Sequence, residues 1–142
     1  MINLTIPGEP CAKGRPRVGK WGTYTPEKTV NYETLVKHLY ISEHRGERLD
    51  GELRLLIKAY FKIPKGEVPI AKKPKPETMQ RYKNLLNGTV RHIKKPDWDN
   101  VGKIISDALN GLAYNDDSQI VSATVEKYYS DKPRVEITLS ET

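Results

Sequence analysis

The chain predicts an α+β fold, a single domain spanning residues 1–142 with a small, mainly antiparallel or mixed sheet packed against helices. Three observations carry that prediction. Two segments show apolar residues at helical spacing, Tyr32, Leu35, Val36, Leu39, Tyr40 and Val101, Ile104, Ile105, Ala108, Leu109, Leu112. Three segments alternate apolar and polar residues, around 53–63, 119–129 and 135–139. In chain order the elements run β, α, β, α, α, β, β, with no repeat and no linker long enough to separate a second domain.

Taken in order, Ile2, Leu4 and Ile6 share one face of a short strand that Pro7-Gly8 ends. Residues 7–24, rich in Gly and Pro, read as a loop or irregular hairpin carrying Lys13, Arg15, Arg17 and Lys20. Thr25-Pro26 is a helix-start signal, because the hydroxyl can cap and Pro is tolerated at the first helical position. Asp50-Gly51 turns the chain into the clearest strand, where Leu53, Leu55, Ile57, Ala59, Phe61 and Ile63 alternate with Arg54, Lys58 and Lys62. The Lys- and Pro-rich stretch 64–76 is extended, and a shorter helix runs from about Glu77 to Leu86, stopped by Asn87-Gly88. The helix through Val101 carries Asn100, Lys103, Asp107 and Asn110 on its polar face and ends at Asn110-Gly111. Val121, Ala123 and Val125 form a strand, Asp131-Lys132-Pro133 turns it, and Val135, Ile137 and Leu139 return as a final antiparallel strand.

Charge narrows the function. The chain has 24 Lys and Arg against 18 Asp and Glu, a net +6. That balance points to a polyanionic partner, nucleic acid before an anionic membrane. No run of apolar residues is long enough to span a bilayer, and the start, Met-Ile-Asn-Leu-Thr-Ile, lacks the pattern of a secretion signal. The expected location is therefore cytoplasmic. The single Cys11 excludes an internal disulfide framework and a cysteine-built zinc site. The charge is also uneven. Residues 97–117 hold five carboxylates, Asp97, Asp99, Asp107, Asp116 and Asp117, and one base, Lys103, a local −4; the remainder carries 23 bases and 13 acids, a net +10.

Carboxylates this close repel, and a divalent cation relieves that repulsion far better than a helix N-terminus does. Magnesium takes oxygen ligands, commonly one or two protein carboxylates completed by water and substrate phosphate; manganese is a plausible substitute. Asp97 and Asp99, at i and i+2, point to one side if the segment after Pro96 is extended. The helix that follows is about 15 Å long, so a returning strand can bring Asp117 back beside them, and Lys103 reaches the same place. Three carboxylates and a lysine describe a metal-dependent phosphodiester site. An EF-hand loop from Asp97 is excluded, since its fifth position is Val101 and its twelfth Ala108. A phosphatase of the aspartyl-phosphate type shares Asp-x-Asp but wants an apolar strand before it, where Lys94-Lys95-Pro96 stands. Separately, each acidic piece also reads as a helix cap or a solvated turn.

The segments Lys95-Pro-Asp97-Trp-Asp99-Asn100-Val-Gly-Lys103, Asp107-Ala-Leu-Asn110-Gly111 and Tyr114-Asn-Asp116-Asp117-Ser-Gln119 resemble the signature of the RusA-type Holliday junction resolvases. Pro7-Gly8-Glu-Pro10, Lys13, Arg15-Pro16-Arg17 and Tyr24-Thr25-Pro26 resemble the phage and prophage members of that family. The resemblance runs at intervals over nearly the whole chain. It implies a homodimer with two active sites that nicks a four-way junction symmetrically in a magnesium-dependent reaction. It implies metal-binding roles for Asp97, Asp99 and Asp117 and a catalytic role for Lys103, with Asp116 close by. Gly102 departs from the pattern, which favours an apolar or longer residue there. Around that site, Asp107 reads either as an ordinary i, i+4 partner of Lys103 or as the group that orients it. Lys13, Arg15 and Arg17 read as a phosphate clamp or a solvated loop, with Lys94 and Lys95 weaker candidates of the same kind. Trp98 is expected to pack at the core or dimer contact, His92 to be a polar loop residue, and Cys11 to be unreactive. A non-catalytic protein binding branched or single-stranded DNA is the competing function, and a small-ester phosphatase the third; neither uses both the acidic window and the +10 remainder.

Overall fold

The computed structural model describes all 142 residues. Six strands and three helices follow one another as β1 (Ile2–Pro7), β2 (Arg17–Gly19), β3 (Gly22–Tyr24), α1 (Glu27–His44), β4 (Leu53–Lys62), α2 (Pro76–Leu86), α3 (Trp98–Leu109), β5 (Ile120–Ser130) and β6 (Arg134–Glu141). Four strands make one mixed sheet in the order β1-β6-β4-β5, and β2 and β3 form a separate two-stranded hairpin. The α+β single-domain expectation is thereby met.

The pairing of the last two strands differs from expectation. β5 and β6 are not a hairpin: β4 lies between them, parallel to β5 and antiparallel to β6. Residues 131–133 only step across the end of β4, about 10 Å at the usual strand spacing. A parallel pair needs a long crossover, and residues 63–119 supply one that contains both α2 and α3. This crossover sets α3 against the sheet, where it runs back toward the start of β5.

The core follows the two periodicities. Leu53, Leu55, Ile57, Ala59 and Phe61 of β4 are buried, as are Ile2, Leu4 and Ile6 of β1 and Val135, Ile137 and Leu139 of β6. On that face sit Val101, Ile104, Ile105, Ala108 and Leu109 of α3, and Val36 and Tyr40 of α1. Burying a side chain of this size contributes about 1.5–3 kcal/mol, so the apolar stripe of α3 holds its polar face in register over the edge strand β5. The first apolar stripe is less complete than its spacing suggests, since Leu35 reaches solvent while Val36 and Tyr40 do not.

Candidate active site

Helix α3 begins at Trp98, with Asp97 as its N-cap in extended backbone, φ −70° and ψ 152°. The Asp97 side chain makes no capping hydrogen bond, so its carboxylate is left for other partners. Asp99 and Lys103 lie one turn apart on the exposed side of α3. Asp117 opens a short 3-10 turn, Asp117–Gln119, that feeds β5. That turn is held by its neighbours: the Gln119 side-chain oxygen Oε1 accepts from the backbone amides of Asn115 at 2.8 Å and Asp116 at 3.1 Å, and the Ser118 hydroxyl donates to the Asp116 carboxylate at 2.6 Å. The Ser118 hydrogen bond draws the Asp116 carboxyl below its ordinary value. Asp116 thus shapes the turn, and Asp117 is left half-buried beside α3.

Asp99, Lys103 and Asp117 line one concavity of about 300 Å³ with Trp98, Gly102 and Ser106, over an apolar floor that includes Ile57 and Val125. Gly102 faces this space; a Cβ there would lie 3.3 Å from Val125 Cγ2. Asp97 does not join them. It lines the neighbouring concavity, about 370 Å³, with Lys28, Lys95 and Asn100. No three His, Cys, Asp or Glu side chains come together closely enough to hold an ion by themselves. The expected convergence of Asp97 with Asp99 assumed extended chain between them. The helix starts at Trp98 instead, so Asp97 keeps extended backbone while Asp99 sits in the first helical turn. The donor set of Asp99 and Asp117 still fits magnesium, which needs only one or two protein carboxylates when water and phosphate complete its octahedron.

An ion-pair chain supports the lysine. Lys103 Nζ stands 3.0 Å from Asp107 Oδ1, and Lys13 Nζ 3.2 Å from Asp107 Oδ2. Lys13 also donates to Glu33 of α1. Burial opposes the charge on Lys13, but the Glu33 and Asp107 carboxylates outweigh it and raise its affinity for the proton. Lys13, grouped by sequence with a phosphate clamp, is therefore committed to two internal carboxylates, because the loop folds back onto α3. The Lys13 amide donates to Asn100 O at 3.0 Å and the Gly14 amide to Thr29 Oγ1 at 2.9 Å. Arg15, Arg17, Lys94 and Lys95 remain exposed. Nearby, burial first and then the charges of Asp117, Asp107 and Asp116 push the Tyr114 phenol up; its hydroxyl donates to Ser106 O at 2.6 Å.

Two further residues bear on the site without a local signal in the sequence. Glu33 lies on the helical face between apolar positions and shows its role only once Lys13 reaches it. Lys127, in β5, donates to the carbonyls of Lys94 and Pro96 at 2.7 Å each. It fastens the segment that leads into Asp97, whose carboxylate favours its charge while burial, the larger effect, lowers its pKa. A lysine in an alternating strand is unremarkable on paper. His92 is likewise more than a loop residue, for its ring stacks on Phe61 at 3.7 Å between centroids.

A mixed-sheet α+β domain that sets two aspartates and a lysine into one concavity of a basic chain is the class defined here. The chain belongs to the RusA endodeoxyribonuclease family: the family model described as Endodeoxyribonuclease RusA matches residues 7–140. It is also similar to the uncharacterized protein YqaN of Bacillus subtilis (strain 168), with 39% identity over 145 residues, covering 99% of this chain and 96% of that protein. No helix of the protein is long and apolar enough to cross a membrane.

Proposed function

We propose that this protein is a magnesium-dependent, structure-selective endonuclease that resolves Holliday junctions by paired symmetric nicks in DNA recombination and repair. The observation that carries the reading is the shared concavity of Asp99, Lys103 and Asp117, in a chain whose remainder carries the positive charge needed to hold DNA. Asp99 and Asp117, with Asp97 from the adjoining concavity, are the groups that would hold the metal. When bound, the ion supplies Lewis-acid polarisation of the phosphoryl oxygen and a water made more acidic. Lys103, more than half exposed and tethered on one side by Asp107, directs its ammonium at a phosphate oxygen, where charge develops in the transition state. Lys94, Lys95, Arg15 and Arg17 hold neighbouring phosphates. Asp107 orients Lys103, and Asp116 shapes the turn that presents Asp117.

A four-way junction offers two strands related by two-fold symmetry, and one chain offers one site. A homodimer matches both, acting in the cytoplasm of a bacterial or phage-infected cell. The test is a synthetic four-way junction incubated with magnesium, with manganese, and with EDTA. Paired nicks in the first two and none in the third are expected. Asp99→Asn should abolish cleavage while keeping or tightening junction binding, since it removes a metal ligand and a repulsive charge together. Binding without cleavage in every metal would instead establish the non-catalytic reading.

A further inference from the structure

The hairpin β2–β3 stands apart from the main sheet, and nothing in the proposed chemistry uses it. Its turn is two residues, Lys20-Trp21, between the paired Gly19 and Gly22, and Gly22 takes φ +119°. The two-residue connection puts Trp21 at the tip of the hairpin. Trp21 is 93% exposed and Val18 87% exposed, and Tyr24 is more than half exposed. Lys20 Nζ lies 5.6 Å from the Trp21 ring centre. Residues 10–26 contain no carboxylate at all, and Arg15, Arg17 and Lys20 are exposed along the arm.

The aromatic residues of this arm, Trp21 and Tyr24, are exposed among cations, and that charge selects the occupant. Aromatic faces interleaved with free cations and no acid are what a single strand binds, the rings stacking on bases and the cations following phosphates. The root of the arm lies at the site. Lys13 N–H bonds Asn100 O, next to Asp99, and Gly14 is packed so closely on Thr29 and Pro26 that a Cβ there would come within 2.7 Å of Thr29 Oγ1. Seven residues separate Gly14 from Trp21, so the ring reaches at most about 25 Å from that root. That is about seven nucleotides along a strand. We infer that the β2–β3 hairpin is a nucleic-acid arm whose Trp21 stacks on an unpaired or unstacked base near the strand held at Asp99 and Lys103. This rests on the proposed nuclease reading and names the DNA feature that the chain selects.

The experiment measures binding in EDTA, with Trp98→Phe in every variant so that Trp21 is the sole tryptophan. The probes are a synthetic four-way junction, a duplex of the same length, and oligo(dT). Quenched Trp21 emission is expected on the junction and oligo(dT), with a smaller change on duplex. Trp21→Ala should raise the junction Kd by roughly 5- to 100-fold, the range of one base–aromatic stack, with Trp21→Phe recovering most of it. Arg17→Ala and Lys20→Ala should each lower the salt slope by about one. Unquenched emission, or a Trp21→Ala Kd within about twofold of the parent, overturns the inference. So does a Trp21→Ala protein that sediments as monomer where the parent is dimer, which would assign the ring to a second copy. If quenching persists on oligo(dT) while the wild-type chain with magnesium leaves junctions intact, the nuclease reading fails and the stacking arm stands.

Discussion

Lys13→Met separates two roles for one lysine. As a phosphate contact, Lys13 would matter only with DNA present. As the structure has it, the ammonium joins the N-terminal loop, α1 and α3 through Glu33 and Asp107, whose side chains are only 16% and 20% exposed. A hydrogen bond to a charged group is worth about 1.5–3 kcal/mol. Breaking a fully buried pair costs about 3–5 kcal/mol, because the partner charge is stranded. The residual exposure of both carboxylates puts Lys13→Met nearer the lower figure, about 3 kcal/mol. For a domain of this size, at about 4 °C per kcal/mol, the melting temperature should fall by about 12 °C.

The pH dependence gives a second check. The carboxylates raise the folded-state pKa of Lys13 above its ordinary 10.5. Its contribution is therefore fully present below about pH 10.5 and is lost as pH rises through the higher folded value. Thermal melts of wild type and Lys13→Met at pH 7, and through the alkaline range, should show a stability gap at neutral pH that closes above pH 10.5. Junction affinity and its salt slope should stay close to wild type. Equal melting temperatures, or a slope reduced by about one with no loss of stability, would return Lys13 to the phosphate clamp and refute the ion-pair argument.

Lys103→Ala should lower the cleavage rate by at least tenfold with junction Kd nearly unchanged, read by single-turnover cleavage and by gel shift. Lys127→Met removes two hydrogen bonds that hold residues 94–96; cleavage should fall and the magnesium concentration for half-maximal rate should rise, with Lys127→Arg keeping more of both. Burial beside Phe61, then the charges of Lys127 and Lys94, lowers the His92 pKa to about 4. The unfolded chain thus binds this proton first as pH falls, so stability is lost between about pH 6.5 and 4. His92→Phe should flatten that acid limb in denaturant titrations.

Much of the site was legible because its signals are local. The spacing of Val101, Ile104, Ile105, Ala108 and Leu109 announces α3, and that helix alone decides that Asp99 and Lys103 share an exposed side. Asp116-Asp117 just before an alternating segment locates the second half of the site at the start of β5. The alternation of β4 likewise requires no knowledge of its neighbours. Periodicity does not say which strand lies next to which. An Asp-Lys-Pro turn between two strands reads as a hairpin, and only the competition for the edge of β4 makes β5 its parallel partner and sends β6 to the other side.

The same limit explains the residues that moved. Asp97 and Asp99 line neighbouring concavities, with the start of α3 falling between them. Lys13 looks like any loop base until Asn100 and Thr29 hold its backbone against two helices and Glu33 and Asp107 meet its charge. By itself the sequence determined the α+β class, the helix that carries most of the candidate site and the carboxylates and lysine available to it, since each rests on residues a few positions apart. The tertiary structure decided the strand pairing, the grouping of Asp99, Lys103 and Asp117 and the diversion of Lys13. Each of those is a contact between segments far apart in the chain, where packing of a shared core, not local spacing, sets the distance.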